Sequence, residues 1–342
     1  YYKGEHYREI YDLLGGDYAI VNDDGTQLSS VKREGDIVGY NNDGIVKWSG
    51  VFSQAEYSNG MLSAFLNISG SNSAYKRIDY FRKKDLVLAD TIIKEAIGTH
   101  PYFGEIVSDT VTVNGKEYTI NSEEAQFTST HWKWIRGYTF KGGANVNLDE
   151  NNNIFFNMGY ISKAPRFQNV FDYDNSMFKA IKNEIVRAVE GGYSYRSSLF
   201  SANTNAYYTI WENKPSSGIT YKDSDENSVK GNINGMNALH KGIEVDWSYK
   251  VNTKLSIEGL LSLGDWTWTS AETVRLYDEN NNAILDENNN PVDTAFDAKG
   301  VHVGDAAQTQ YGLSIRYEPT HNSYIKLRGT HFSDYYSDFD PL

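Results

Sequence analysis

The amino-acid sequence predicts an all-β protein, an antiparallel transmembrane β-barrel of which the chain supplies about ten strands. Three observations predict this class. Side chains alternate between apolar and polar along many segments, short turns alternate with long polar connections, and no apolar run approaches the roughly 20 residues of a spanning helix. A transmembrane strand needs an apolar residue only at every second position, and the mean hydropathy of −0.57 permits that arrangement.

The composition excludes several other classes of protein. The 342 residues include 26 Tyr, 15 Phe and 7 Trp, so the apolar material lies in bulky amphipathic rings, which argues against a disordered chain. The net charge is −13 and the basic residues are scattered, so we expect no nucleic-acid partner. The chain has no cysteine, which excludes disulfides, thiolate metal ligands and cysteine nucleophiles.

Alternation with a period of two residues is the strongest pattern in the chain, and it is clearest at 199–211. Successive side chains of a strand point to opposite faces of the sheet, so this pattern predicts one lipid-facing and one interior face. The predicted lipid-facing residues are Phe200, Ala202, Ala206, Tyr208 and Ile210, and the predicted interior residues are Ser201, Asn203 and Asn205. Three further strands show apolar rows of the same kind: Leu62, Ala64, Leu66 and Ile68; Ile243, Val245, Trp247 and Tyr249; Tyr311, Leu313, Ile315 and Tyr317.

The connections between predicted strands fall into two groups of different length. Short turns rich in Asn, Asp, Gly, Ser or Pro are predicted at 57–60, 149–153, 195–198, 250–254 and 318–322. Long polar segments are predicted near 1–45, 82–126, 163–182, 212–236 and 270–302. Both ends of a soluble sandwich face the same solvent, whereas outer-membrane barrels have short periplasmic turns and long extracellular loops. The pattern therefore predicts five hairpins joined by extracellular loops.

Aromatic residues gather near the predicted strand ends. Interfacial girdles of a membrane barrel lie there, and we favour that interpretation over rings that fill a soluble β core. The residues concerned are Trp132, Trp134, Tyr207, Tyr208, Trp211, Trp266, Trp268, Tyr335 and Tyr336. Aromatic rings in loops are also able to stack on a solute. The candidate ligand-binding residues are Tyr102, Phe103, Trp132 and Trp134.

The sequence contains no recognisable catalytic or metal-binding constellation. His302 and Asp305 are spaced so that they could orient each other, but no nucleophile is placed beside them, and two polar residues on a wet surface are the simpler interpretation. The segment 278–290 places Asp278 and Asp286 among the ligand positions of a calcium loop. It lacks the Gly and Glu that such a loop requires, which favours Asx-rich turns. We expect no metal, no cofactor and no enzymatic activity.

Four motifs follow one another along the central part of the chain. They are G-Y-I-S-K-A-P-R-F followed by N-V-F at 159–171, the segment 183–215 ending in N-A-Y-Y-T-I-W-E-N-K-P, N-A-L-H-K-G-I-E-V-D at 237–246, and L-G-D-W at 263–266. Together they resemble the barrel of TonB-dependent outer-membrane receptors of the Bacteroidetes type, and the resemblance covers most of the chain from about residue 45 onwards.

The resemblance implies a barrel of 22 strands with a plug domain inside it. Residues 1–342 would then be a partial barrel domain that lacks both the plug and the TonB box. We expect a fragment also because Tyr1 is not an initiator methionine and 340–342 does not form a terminal aromatic strand. The implied partners are outer-membrane lipid, an extracellular solute, the TonB complex of the inner membrane and, as with some glycan transporters, a surface lipoprotein.

The function implied is active transport at the cell outer membrane of a Gram-negative bacterium. The receptor would bind a siderophore, haem, cobalamin or an oligosaccharide outside the cell and import it to the periplasm with energy supplied through TonB. Two alternatives of other classes remain open. One is a small complete outer-membrane barrel enzyme of the surface-protease type, and the other is a secreted β-rich carbohydrate-binding protein.

Overall fold

The computed structural model describes residues 1–12, 33–98, 110–171, 177–178, 181–222, 228–278 and 283–337. Within these ranges the regular structure consists of β-strands and a single 3-10 turn at Phe167–Asn169. No helix in this part of the chain is long and apolar enough to cross a membrane.

Eighteen strands are present in the described residues. In chain order they are β1 Tyr2–Glu9, β2 Ile37–Ser58, β3 Leu62–Asp79, β4 Lys84–Val87, β5 Ile92–Ile97, β6 Thr110–Val113, β7 Lys116–Thr119, β8 Ala125–Gln126, β9 Lys133–Asn147, β10 Asn152–Lys163, β11 Glu184–Arg196, β12 Phe200–Lys222, β13 Ser228–Lys250, β14 Leu255–Trp268, β15 Ala271–Tyr277, β16 Asp293–Asp297, β17 Ala307–Thr320 and β18 Ser323–Tyr335. The predicted all-β class is confirmed.

The main sheet joins its strands almost entirely in chain order, β1-β2-β3-β9-β10-β11-β12-β13-β14-β17-β18. The neighbouring strands from β9 to β18 pair antiparallel, as predicted. A smaller pair, β15 and β16, joins this sheet through β13. The described residues fall into two compact units. The first comprises Tyr1–Trp48, Ser73–Trp134 and Val170–Phe178, and the second comprises Ser49–Asn72, Ile135–Asn169 and Lys179–Leu342.

The five predicted short turns are confirmed, and all five lie at the same end of the strands of the second unit's sheet, here called the turn end. They join β2 to β3, β9 to β10, β11 to β12, β13 to β14, and β17 to β18. Backbone hydrogen bonds link adjacent turns at the turn end: the Arg196 amide donates to Asn151 O at 2.8 Å, and the Lys250 amide donates to Leu199 O at 2.7 Å. A further hydrogen bond at the turn end joins the Glu318 amide to Lys254 O at 2.7 Å. The longer connections therefore leave from the opposite end of the strands.

The structure corrects the long loop predicted at 212–236. Strand β12 continues to Lys222 and β13 begins at Ser228, so most of that segment is strand, and only 223–227 lie outside the described residues. The two strands pair up to Lys222 and Ser228, with register shifts near Lys214 and Ser216. The segment contains Pro215, Gly218, Gly231 and Gly235 among many polar residues, a composition typical of loops, and it therefore predicted a loop although the backbone ladder continues.

The connection from β3 to β9, predicted as a long loop near 82–126, contains a small folded module of the first unit. Strands β5, β4 and β8 form a three-stranded sheet, and β6 and β7 form a hairpin. A compact core of Leu86, Ile97, Tyr118 and Ala125 stabilises them. In the same unit, β1 pairs antiparallel with the first part of β2. The strand predicted from the apolar row of Leu62 to Ile68 is confirmed as part of β3, an 18-residue strand.

Candidate functional site

One face of the second unit's sheet carries mainly apolar side chains, and several of the large ones remain exposed. Cross-strand partners continue this apolar face from strand to strand. A single row runs through Ala144, Phe156, Gly191, Ala206, Ile243 and Leu263. The next row towards the turns runs through Val146, Ile154, Tyr193, Thr204, Val245, Leu261, Tyr311 and His331. Phe156 and Ile243 are each 51% exposed, so no other part of the described chain covers them.

The opposite face of this sheet is polar and hydrogen-bonded. Asn205 Nδ2 donates to Glu190 Oε1 at 3.1 Å and to Glu244 Oε2 at 3.2 Å. Asn203 Nδ2 donates to Asp246 Oδ1 at 2.9 Å. Carboxylates at this density need water or donors around them. The prediction that Asn203 and Asn205 share one face, opposite the apolar row of Ala206 and Ile243, is confirmed; contact of the apolar face with lipid remains a prediction.

An aromatic cluster lies on the polar face, in the middle of β12 and β13 and near the end of β14. The His240 ring lies between Trp211, with ring centroids 6.1 Å apart, and Trp266, with centroids 5.6 Å apart. Trp211 Nε1 donates to Glu184 Oε1 at 2.8 Å, and Trp266 Nε1 donates to the Tyr207 hydroxyl at 2.8 Å. Tyr207, Trp211 and Trp266 share the face of Asn205, so these three predicted girdle residues do not lie on the face predicted to contact lipid.

The predicted ligand-binding residues are only partly brought together. Tyr102 and Phe103 lie outside the described residues. Trp132 and Trp134 are neighbours, with ring centroids 6.4 Å apart and planes inclined at 36°. Trp132 lines a pocket of the first unit, whereas Trp134 is 54% exposed and does not line it. Binding of a solute by these residues remains a prediction.

The pocket at Trp132, here called the Trp132 pocket, has a volume of about 240 Å³. Strands β3, β4, β5 and β8 and the segment leading into β9 supply its walls. The lining residues are Lys76, Asp85, Val87, Ile92, Lys94, Gln126, Phe127, Ser129, Thr130, His131 and Trp132. A larger cavity of about 860 Å³ lies in the second unit against β2, β3, β9 and β10, with Phe65 and Phe155 among its lining residues. Sequence reasoning identified neither cavity, apart from the ring of Trp132.

The predicted pair of His302 and Asp305 does not form. The His302 ring stacks on Tyr336 with centroids 4.1 Å apart and planes 4° apart. The Asp305 amide donates to Tyr336 O at 3.0 Å. No hydrogen bond joins the two side chains in the part of the chain that is described, so the only sequence-based candidate for acid–base chemistry is removed.

The segment predicted as a possible calcium loop contains a local Asx turn. Asp286 Oδ1 accepts the amides of Asn288 and Asn290, both at 2.8 Å. These amides, the Asn290 amide foremost, lower the pKa of the Asp286 carboxyl. Residues 279–282 lie outside the described chain, and no group of three His, Cys, Asp or Glu side chains suited to a metal occurs in the remainder. This agrees with the favoured turn interpretation.

Comparison with known proteins gives matches only among solved structures. No family model and no curated protein matches the sequence. The chain is similar to the ferric-catecholate import receptor Fiu from E. coli K12, with 11% identity and a TM-score of 0.47, covering 88% of this chain and 36% of that one. It is similar to the FrpB iron transporter from Neisseria meningitidis, with 15% identity and a TM-score of 0.41, covering 85% and 32%.

A third similar structure is the copper transporter OprC, with 13% identity and a TM-score of 0.44, covering 95% of this chain and 47% of that one. The chain therefore spans about a third to a half of the length of these structures. All three are described as receptors or transporters. The likeness is one of β-sheet architecture at low identity, and it identifies no solute.

Proposed function

We propose that this chain forms part of the barrel wall of an outer-membrane receptor, which captures a solute outside a Gram-negative cell and imports it to the periplasm with energy supplied through TonB. The exposed apolar face of the second unit carries the proposal. Contiguous apolar surface of this extent marks contact with a membrane or another protein. Its regular arrangement over successive strands, opposite a hydrogen-bonded polar face, favours lipid.

The height of the apolar face agrees with a membrane. From the row of Ile243 to the row of Tyr249 there are six residues, or about 20 Å of strand at roughly 3.4 Å per residue. One more row, with Leu255 and Tyr317 opposite each other, extends the face towards the turns. Strand tilt shortens this length along the membrane normal, and an outer-membrane barrel has an apolar band of about 25 Å.

The connections at the two ends of the strands also support this function. Turns of two to four residues lie at the turn end, as periplasmic turns do in outer-membrane barrels, and the longer connections leave from the opposite end. The polar face would then line a water-filled interior. Asn203 and Asn205 hold the carboxylates of Asp246, Glu190 and Glu244 in that interior. The plug, the TonB box and a surface lipoprotein belong to the proposal through the resemblance alone.

Cysteine labelling tests this topology with no background from residues 1–342, which contain no cysteine. Glu150 lies in the turn between β9 and β10, and Glu287 lies in the connection between β15 and β16; both are exposed. In the full-length protein, Glu287→Cys should react with an impermeant maleimide on intact cells. Glu150→Cys should react only after the outer membrane is permeabilised. Labelling in the reverse pattern would invert the topology, and labelling of both on intact cells would exclude a membrane wall.

A further inference from the structure

The Trp132 pocket has two aromatic walls that are fixed by neighbouring side chains. Lys47 Nζ lies 4.3 Å from the centre of the Trp132 ring. Phe127 meets Tyr80 edge to face, with centroids 4.8 Å apart and planes at 75°, and Lys84 Nζ lies 4.7 Å from the centre of the Phe127 ring. Rings held in this way offer a preorganised apolar surface to a ring-shaped ligand.

The same pocket contains an uncompensated positive charge. The buried carboxylate of Asp85 is satisfied by three donors: Lys94 Nζ at 2.6 Å, the Glu95 amide at 3.0 Å and Thr128 Oγ1 at 2.8 Å. Lys76 also lines the pocket, and it has no ion-pair partner among the described residues. In a chain with a net charge of −13, this lysine is suited to an anionic group on the ligand.

Hydrogen-bonding side chains complete the lining. Thr130 Oγ1 accepts the Arg77 amide at 2.9 Å, which leaves the hydroxyl proton of Thr130 available to a ligand. Gln126, Ser129 and His131 line the pocket too, and their side chains form no hydrogen bond within the described residues. Four such groups exceed what a carboxylate on an otherwise apolar ring could satisfy, and unmatched polar groups would oppose the binding of such a ring.

We propose that the Trp132 pocket binds an acidic sugar, a pyranose ring that carries one carboxylate. The apolar C–H face of the sugar would stack on the Trp132 ring, its carboxylate would pair with Lys76, and its hydroxyls would meet Gln126, Ser129 and Thr130. A volume of about 240 Å³ lies just below the range of roughly 300–1,000 Å³ typical of ligand pockets, so it suits a single ring. The inference rests on the proposed function, for which it names the substrate class as acidic oligosaccharides, with the pocket holding one residue of the chain.

Saturation-transfer NMR on the full-length protein in detergent tests the proposal, because the method detects weak binding of single sugars. Galacturonic acid should give a signal, and galactose, which lacks the carboxylate, should bind at least tenfold more weakly. Lys76→Gln should remove this preference. Trp132→Ala should reduce binding of galacturonic acid at least tenfold, while Trp132→Phe should keep most of it. A linear trigalacturonide that competes with the monosaccharide would identify one residue of an oligosaccharide as the ligand, and failure to compete would overturn acidic oligosaccharides as the substrate class.

A matched control for the lysine variant lies next to Trp132 in the chain. Lys133→Gln should leave binding unchanged, because Lys133 does not line the pocket. Absence of a galacturonic acid signal, or equal binding by the wild type and Trp132→Ala, would overturn the inference. The cysteine-labelling pattern is independent of this result. Failed sugar binding with the expected labelling removes only the substrate class, whereas sugar binding without a membrane topology would favour a secreted carbohydrate-binding protein.

Discussion

Lys241 Nζ lies 3.0 Å from Asp265 Oδ2, on the same sheet face as Ile243 and Leu263 but one cross-strand row nearer the long connections. A charged pair is costly in hydrocarbon, so at β13 and β14 this row marks the limit of the apolar face on that side. The row that contains Ala202, Trp247 and Leu313 then lies near the middle of the face.

The first prediction concerns the two sides of β12 at this depth. Ala202→Arg places a charge on the apolar face. It should destabilise the form folded into lipid by about 2–4 kcal/mol, as is typical of a bilayer midplane. Asn203→Arg is the matched control on the polar face, where the new cation would lie beside Asp246. Its cost should be small. Equal costs for the two variants, measured by reversible folding into vesicles, would contradict the assignment of the faces.

A second prediction concerns Gly192, over which the Phe155 ring lies. A methyl group at this position would collide with Phe155 and would also lie 2.6 Å from the backbone oxygen of Thr204, which cannot move without breaking the ladder. Gly192→Ala should therefore destabilise the folded state by roughly 1–3 kcal/mol, the range for overpacking. Gly70→Ala is the control, because an added methyl group there has no neighbour within 4 Å. The temperature at which the folded form loses its faster gel migration measures both.

The third prediction concerns the Asp149 carboxylate in the turn between β9 and β10. The amide of Asn151 and the side chain of Asn152 lower the pKa of this carboxyl, because both donate to the ionised form. A pKa that is lower in the folded state gives stability above the unfolded value, near pH 4, which is lost as the pH falls through the folded value. Asp149→Asn should remove this part of the acid sensitivity. Parallel denaturation curves of the two proteins from pH 6 to pH 2 would contradict this role.

The sequence predicted those features that depend on neighbouring residues. The turn at 149–153 was recognisable because Asp149 and the following asparagines bond to their own backbone. The two faces of β12 followed from the alternation of residues such as Asn205 and Ala206. The extension of β12 to Lys222 was missed, because Pro215 and Gly218 are typical of turns, whereas pairs such as Thr220 with Lys230 are fixed by the ladder between distant residues.

The Trp132 pocket was beyond sequence reasoning for a different reason. Trp132 was singled out as a ring, but its partners in the pocket are distant in the chain. The Arg77 amide bonds to Thr130 across 53 residues, and Thr128 bonds to Asp85 across 43 residues. No local pattern records such pairings. The tryptophans of the polar face, in contrast, could have been placed correctly, because Trp211 shares its parity with Asn203 and Asn205.

The last prediction uses that parity. Trp247 lies on the apolar face, opposite Ala202 and Gly259, whereas Trp211 lies on the polar face and donates to Glu184. In vesicles of brominated lipid, a variant that keeps only Trp247 should lose much of its fluorescence, because bromine quenches at contact. A variant that keeps only Trp211 should retain its fluorescence.

In each variant the other six tryptophans of residues 1–342 are replaced by phenylalanine, and a third variant that keeps both residues checks that these replacements preserve folding. Iodide, a quencher dissolved in the water, should quench the fluorescence of Trp247 only weakly, because lipid would cover that ring. Quenching of Trp211 by brominated lipid as strong as that of Trp247 would place both faces against lipid. The carboxylates of Glu190, Glu244 and Asp246 would then lie in hydrocarbon, which their number on one face makes physically untenable, and the membrane assignment of the sheet would fall with it.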